Sequence, residues 1–266
     1  MCFAENSRPP IPPMAGGAAD GRSLELVSAD GTRFRAFSAA AQRAGGAGIL
    51  IFPDVRGLHP YYEELALRFA ESGIDALAID YFGRTAGSGP RAADFEFTPH
   101  VAKTTFGSVM ADARAGAAQL RRDGRIDSLF TVGFCFGGRL SFLAAADEQL
   151  SPAGVIGFYG PPVGPGRNDA RAPLEVAERF RCPVLGLFGG ADASIPPSAV
   201  EAFDAALSAA RVDHELHVYP NAPHSFFDRK FEEFAGESAD AWDRMRRFIA
   251  TYSDEARAHQ PDPPTG

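Results

Sequence analysis

The sequence predicts an α/β fold in which helices cover both faces of a mostly parallel β-sheet and an antiparallel hairpin lies at the N-terminal edge. From Gly48 onwards, short apolar runs alternate along the chain with longer helix-like stretches. A strand made almost wholly of apolar residues is typical of a parallel sheet that is buried on both faces. Before Gly48, two short runs flank the turn Ala29-Asp30-Gly31, which is the pattern of a hairpin.

These runs predict the elements in order. The hairpin strands are Ser23–Val27 and Arg33–Ala39, one on each side of the turn. The later apolar runs predict six further strands at Gly48–Phe52, Ile74–Asp80, Leu129–Phe134, Gly154–Tyr159, Pro183–Phe188 and Glu215–Tyr219. The stretches between them predict helices at Pro60–Ser72, Ser108–Arg122, Phe136–Ala146, Pro173–Phe180, Pro197–Arg211 and Ser238–Tyr252. The last helix carries one apolar stripe, which indicates packing on the core: Ala241, Trp242, Met245, Phe248 and Ile249.

Length and composition favour one domain with two tails. A chain of 266 residues, 45% of them hydrophobic, is long enough for a single α/β domain with a full core. Residues 1–20 and 254–266 are rich in Pro, Gly and polar residues, so both are predicted to be disordered. Residues 21–253 are therefore predicted to form the domain.

Charge and cysteine content limit the partners and the location. A formal net charge of −8 argues against a nucleic acid or an anionic membrane as the partner. The first residues lack the basic and apolar segments of an export signal, and no apolar run is long enough to span a membrane. Cys2, Cys135 and Cys182 form no disulfide framework. These features predict a cytoplasmic protein in an environment that keeps thiols reduced. They leave the choice between a monomer and a homodimer open.

Cys135 carries the strongest indication of function. It lies in Gly133-Phe-Cys135-Phe-Gly137, between a predicted strand and a predicted helix. This G-x-nucleophile-x-G pattern is typical of a nucleophile elbow, here with cysteine in place of the usual serine. Such a corner holds the side chain above the sheet at the positive end of a helix, which favours a thiolate. A buried structural cysteine is the alternative interpretation of this residue taken alone.

Two further residues follow later strands in the order that a catalytic triad requires. Asp192 comes after the strand Pro183–Phe188, and His224 lies in the loop after Glu215–Tyr219. The order nucleophile, acid, base is that of α/β-hydrolases, and all three residues leave the carboxyl edge of the sheet. Alone, Asp192 could cap a helix and His224 could be a surface residue, but the ordered set favours a triad.

This pattern resembles the dienelactone hydrolase family, a branch of the α/β-hydrolases, over roughly Leu24 to Ile249. The segments that carry the resemblance are Gly133-Phe-Cys-Phe-Gly-Gly138, Gly189-Gly-Ala-Asp192 and Pro223-His-Ser-Phe226. The resemblance implies the α/β-hydrolase fold, with Cys135 as nucleophile, His224 as base and Asp192 as the acid that orients the base. It also implies an oxyanion hole formed by the backbone N–H groups of Val55 and Phe136.

The chain departs from the family pattern at two positions. Asp54 stands where the family usually has a glutamate that contacts the resting thiol, so Asp54 is predicted to tune the thiol. Pairing with Arg56, or capping of the following helix, is the alternative role for Asp54. Asp228, four residues after the histidine, occupies the position at which dienelactone hydrolases carry an arginine for the substrate carboxylate.

Two long loops at the same edge of the sheet, residues 81–107 and 160–172, are predicted to form the walls of a substrate pocket. Tyr81, Arg84 and Tyr159 are predicted to contact substrate. Ordinary surface packing is an equally good interpretation of these three residues. Four arginines are candidates for binding an anionic group: Arg56 and Arg84, which closely follow central strands, and Arg91 and Arg229.

The predicted activity is hydrolysis of a small ester or lactone through a thioester on Cys135, with no metal and no organic cofactor. Two alternatives stay open at this point. One is a general carboxylesterase or thioesterase with relaxed specificity. The other is a non-catalytic binding or redox-sensing protein that uses Cys135.

Overall fold

An eight-stranded sheet forms the centre of the computed structural model, which describes residues 8–14, 19–92, 94–122 and 125–258. The strands lie in the order β1-β2-β4-β3-β5-β6-β7-β8. Their bounds are β1 Ala19–Val27, β2 Arg33–Ala41, β3 Ala47–Phe52, β4 Asp75–Ile79, β5 Ser128–Phe134, β6 Gly154–Phe158, β7 Val184–Gly189 and β8 His214–Tyr219. β2 pairs antiparallel with β1 and β4, and the remaining neighbours are parallel. The predicted α/β-hydrolase fold, with its N-terminal antiparallel hairpin, is confirmed.

The helices connect the strands and lie on both faces of the sheet. Their bounds are α1 Pro60–Glu71, α2 Gly83–Ala86, α3 Thr98–Val101, α4 Phe106–Arg121, α5 Phe136–Ala144, α6 Pro197–Ala209 and α7 Ala235–Ala258. On one face, Phe69 of α1 packs against Trp242 of α7 with ring centroids 4.9 Å apart. On the other face, Phe142 of α5 packs against Phe203 of α6 at 5.2 Å. The all-buried strands β3 to β7 lie between these two layers.

One predicted helix is not α-helical. Residues Pro173–Arg179 form a 3₁₀ segment, where the apolar spacing predicted an α-helix. The Glu175 carboxylate accepts a hydrogen bond from the N–H of Ala172 at 3.3 Å, which closes the first turn tightly. A segment of only seven residues that begins at a proline is short enough for 3₁₀ hydrogen bonding.

The two ends of the domain differ from the predicted limits. β1 begins at Ala19, because its pairing with β2 continues to the register Ala19↔Ala41, and α7 continues past 253 to Ala258. Residues 8–14 of the predicted tail lie against α1, where Arg8 pairs with Glu64 and the N–H of Met14 donates to Glu71 Oε2 at 2.9 Å. The remainder of the predicted tails, residues 1–7, 15–18 and 259–266, lies outside the described residues.

Within the described ranges, none of the helices combines the length and the apolar character of a membrane span. The same residues contain no cluster of His, Cys, Asp and Glu side chains that could hold a metal ion.

Candidate active site

Cys135 lies at the corner between β5 and α5, at the carboxyl edge of the sheet. Its backbone has φ 56° and ψ −113°, a region that non-glycine residues rarely adopt. The N–H of Cys135 donates to the carbonyl of Phe158 at the end of β6, at 3.0 Å. The thiol is half-buried, and its residue immediately precedes the first turn of α5. Cys135 therefore lies next to the positive end of this helix.

Glycines make this corner sterically possible. A Cβ atom on Gly133 would lie 1.9 Å from the carbonyl oxygen of Gly137, and a Cβ on Gly137 would lie 2.1 Å from that of Phe52. No side chain fits at either position without movement of the backbone. The ends of β3 and β5 and the start of α5 therefore meet at one point.

His224 and Asp192 form the second part of the predicted triad. His224 Nδ1 lies 2.6 Å from Asp192 Oδ2, and Asp192 Oδ1 accepts hydrogen bonds from Ser194 N at 2.8 Å and from Ser194 Oγ at 2.6 Å. The Asp192 side chain is 1% exposed, whereas that of His224 is 26% exposed. A ring held through Nδ1 exchanges its proton with a reactant through Nε2.

The environment of Asp192 keeps its carboxylate charged. Burial acts to raise the pKa of Asp192, but the hydrogen bonds from His224 and Ser194 outweigh burial, so the pKa lies below its ordinary value. An ionised carboxylate at this position can stabilise a protonated imidazole on His224.

The two residues proposed for the oxyanion hole lie on either side of the same corner. Phe136 is the first residue of α5, and the N–H groups of a first helical turn have no partner within the helix. Val55 is buried just beyond β3. A Cβ on Gly137 would lie 2.2 Å from the carbonyl oxygen of Pro53, so the segment before Val55 contacts the start of α5 directly.

Asp54 is completely buried next to this corner. Its Oδ1 accepts the N–H of Arg56 at 2.8 Å, and its own N–H donates to Tyr62 Oη at 3.0 Å. The carboxylate does not cap α1, whose N-cap residue is His59. Asp54 therefore does pair with Arg56, as the alternative interpretation has it, but through the backbone N–H of Arg56.

Tyr81 lies in the same cluster. Its hydroxyl donates to the carbonyl of Pro53 at 2.7 Å, and its ring packs edge-on against Phe136 with centroids 5.5 Å apart. Burial raises the pKa of Tyr81 well above its ordinary value, and Asp54, Asp80 and Cys135 raise it further. Tyr81 is thus close enough to Asp54 and to Cys135 to interact electrostatically with each of them, and it is only 2% exposed.

Arg84 does not occupy the position predicted for it. Its guanidinium forms ion pairs with Asp112 of α4 at 2.6 Å and with Asp30 of the hairpin turn at 2.9 Å. These contacts direct the cation towards the antiparallel end of the sheet. Arg91 is likewise engaged with the buried Asp80 and with backbone carbonyls of the same loop. Both guanidinium groups of this loop are thus engaged by partners within the protein.

Tyr159 is also not a lining residue. It is fully buried after β6, and its hydroxyl donates to Asp228 Oδ2 at 2.8 Å. Asp228 is itself fully buried, so the residue at the position of the family arginine faces the protein interior. The centroid of the Tyr159 ring lies 4.8 Å from that of His224.

Sequence reasoning missed two residues that shape the site. Ser194 holds the outer oxygen of Asp192, and the spacing Asp192-Ala-Ser194 is a recognisable Asx-turn pattern. Arg139 in the first turn of α5 donates to four carbonyls of the second predicted wall loop: Pro161, Val163, Gly164 and Ala170. Arg139 is the one charged residue in the sequence of α5, and this pattern could have indicated a cation with buried partners.

Comparison with known proteins gives a consistent result. The model of the dienelactone hydrolase family matches residues 34–253. A protein of Salmonella typhimurium with the provisional name carboxymethylenebutenolidase is 32% identical over 240 residues, covering 86% of this chain and 87% of that protein. A protein of Escherichia coli K12 with the same provisional name is 31% identical over 237 residues, covering 85% of each chain.

A solved structure agrees with these relatives. The crystal structure of a protein from Klebsiella pneumoniae, provisionally named a dienelactone hydrolase, superposes with a TM-score of 0.73 at 29% identity. The match covers 88% of this chain and 99% of that chain.

Proposed function

The chain belongs to the dienelactone hydrolase family, and from that premise we propose that it hydrolyses a small ester or lactone through a thioester on Cys135. The observation that carries the proposal is the hydrogen bond of 2.6 Å between His224 Nδ1 and the buried Asp192. It orients an imidazole at the same edge of the sheet as a cysteine on a sharp strand-to-helix turn.

In the first half of the reaction, His224 Nε2 takes the proton of the Cys135 thiol, and the thiolate attacks the carbonyl carbon of the substrate. The oxygen of the tetrahedral intermediate receives hydrogen bonds from the N–H groups of Val55 and Phe136. The loss of one such donor typically costs about 3–4 kcal/mol in the transition state. When the intermediate collapses, the C–O bond of the ester breaks and the leaving alkoxide takes the proton from His224.

In the second half, His224 removes a proton from water, and the resulting hydroxide attacks the thioester carbonyl. The C–S bond breaks, the sulfur regains its proton, and the carboxylic acid is released. With a lactone, the alcohol and the acid remain parts of one open-chain product. Asp192 stays ionised throughout and stabilises the imidazolium in both halves.

The substrate is proposed to be a small lactone or ester with an anionic group, as the names of the relatives suggest. Arg56, which closely follows β3, and Arg229, next to the position of the family arginine, are the proposed candidates for binding that group, while Arg84 and Arg91 form ion pairs with Asp112 and Asp80. The buried Asp228 in place of the family arginine favours a second candidate function, a carboxylesterase for neutral esters.

Replacing Cys135 by alanine is expected to abolish hydrolysis of a chromogenic ester while the protein stays folded, because no other group can form the thioester. Cys135→Ser should also be strongly impaired, since a hydroxyl needs more assistance from the base than a thiol does. Burst kinetics on the wild type should detect the acyl-enzyme. Cys182→Ala is the matched control, because that thiol is buried and its pKa is raised to about 12. Full activity in Cys135→Ala would exclude the nucleophile.

His224→Ala and Asp192→Asn are each expected to lower kcat by at least about a hundredfold, since one removes the base and the other removes its orientation. The double variant should be little worse than His224→Ala alone, because the two residues act as one unit. The measurement is steady-state kinetics of the two single variants and the double variant. Additive losses would mean that Asp192 acts elsewhere.

Asp54 is proposed to tune the Cys135 thiol. A buried carboxylate near the sulfur would repel the attacking thiolate's charge, so Asp54→Asn should change the rate at which iodoacetamide alkylates Cys135 at pH 7, in the direction of faster reaction. The modified peptide is followed by mass spectrometry. Asp30→Asn is the control, because Asp30 is exposed and pairs with Arg84. An unchanged rate in Asp54→Asn would leave Asp54 with a structural role only.

Arg56→Ala is expected to raise KM for an anionic lactone by about tenfold and to leave a neutral ester of similar size unaffected, because a guanidinium binds both carboxylate oxygens. Arg84→Ala serves as the control and should change the two KM values equally. If neither Arg56→Ala nor Arg229→Ala discriminates between the substrates, the neutral-ester carboxylesterase is the better description.

A further inference from the structure

The imidazole of His224 has a second support besides Asp192. The ring of Tyr159 packs against it with centroids 4.8 Å apart and an interplanar angle of 53°. Tyr159 is fully buried among aromatic rings, with Phe134, Phe158 and Phe226 as neighbours. Its hydroxyl donates to Asp228 Oδ2 at 2.8 Å, so both ends of the Tyr159 side chain are fixed.

Asp228 connects this support back to the histidine loop. Its Oδ1 accepts the N–H of Arg229, and its own N–H donates to the carbonyl of Ser225 at 3.3 Å. Ser225 adopts a left-handed conformation with φ 64° directly after His224. The loop is therefore folded so that His224 contacts the Tyr159 ring while Asp228 binds the Tyr159 hydroxyl.

Tyr159 is also fixed from the side of the nucleophile. It has φ 36°, which is rare for an aromatic residue and persists only where surrounding contacts hold it. The carbonyl of the preceding Phe158 accepts the N–H of Cys135 at 3.0 Å, and the N–H of Tyr159 donates to Leu187 at 2.8 Å. The side chain of Tyr159 thus contacts the loop of His224, while the backbone of the adjacent Phe158 binds Cys135.

We propose that Tyr159 and Asp228 form a positioning pair that aligns the His224 ring with Cys135, in a role separate from that of Asp192. The inference rests on the proposed function, in which His224 is the base for Cys135. In this pair Asp228 acts as an uncharged carboxyl group, which can both donate and accept hydrogen bonds.

The surroundings of Asp228 support the uncharged form. Burial raises its pKa to about 8, against the lowering effect of the Arg229 N–H and the Tyr159 hydroxyl, and nearby Asp54 also raises it. The groups that face it from other elements are Tyr61 of α1, Tyr159 after β6 and Asp54 after β3, and His224 faces it from its own loop. A second ionised carboxylate at this point would compete with Asp192 for the imidazolium.

The first test uses Tyr159→Phe, which keeps the ring and removes the hydroxyl. Alkylation of Cys135 by iodoacetamide at pH 7, followed on its peptide by mass spectrometry, is expected to slow about tenfold as the imidazole loses alignment. Esterase kcat should fall by a similar factor with KM unchanged.

Asp228→Asn is the matched conservative variant. Its amide can donate to the Tyr159 hydroxyl and accept from Arg229, so both rates should stay within about twofold of wild type.

The variant His224→Ala distinguishes a failure of the proposed function from a failure of the positioning pair. A wild-type alkylation profile in His224→Ala would reject the base assigned under the proposed function. If His224→Ala changes the profile but Tyr159→Phe reacts at the wild-type rate, the function stands and the positioning pair is rejected. Circular dichroism verifies that each variant is folded.

The pH dependence of thermal stability provides a second test, which does not depend on enzymatic activity. The folded state holds the Asp228 proton up to about pH 8, whereas an unfolded aspartate loses it near pH 4, so wild type loses stability as pH rises between these values. Asp228→Asn lacks this loss, and its Tm relative to wild type should rise from pH 5 to pH 8. Asp192→Asn should show no such trend there, because a lowered pKa acts only at more acidic pH. A constant difference for Asp228→Asn would overturn the uncharged carboxyl.

Discussion

The sharp corner at Cys135 is the constraint on which the rest of the site depends. It exists because Gly133 and Gly137 let the backbone of α5 touch the carbonyl ends of β3 and β5. The same approach sets the segment before Val55 directly against the start of α5, and Cys135 lies next to the positive end of that helix. The strained backbone of Cys135 accompanies this close contact between β3, β5 and α5.

Three carboxyl groups in the loops at this edge of the sheet are buried, and their environments give them different properties. Asp192 receives hydrogen bonds from His224 and Ser194, which hold its pKa low. Asp228 has fewer compensating donors and a pKa of about 8, so near neutrality it is mostly protonated. Asp54 accepts the N–H of Arg56 on Oδ1. Residues of one chemical type thus acquire different hydrogen-bond partners from their surroundings, and Asp192 and Asp228 acquire opposite pKa shifts.

Arginines near the site mainly organise the loops around it. Arg84 and Arg91 anchor residues 81–107 through ion pairs, and Arg139 anchors the second loop through four carbonyls. Each contact neutralises a buried carboxylate or satisfies backbone oxygens, so these cations are unavailable to a ligand.

The sequence by itself determined the alternation of apolar strands with helices, the strand–turn–helix corner at Cys135, and the positions of Asp192 and His224 after later strands, because each is encoded in a local pattern of a few residues. The tertiary structure decided which way the polar side chains turn. Tyr159 and Arg84 follow strands at the right edge, yet Tyr159 turns inward to Asp228 and Arg84 turns away to Asp112. These partners are distant in sequence, so local patterns do not show them. Burial makes the pairing necessary, because an unpaired hydroxyl or charge inside the protein carries a large cost in free energy.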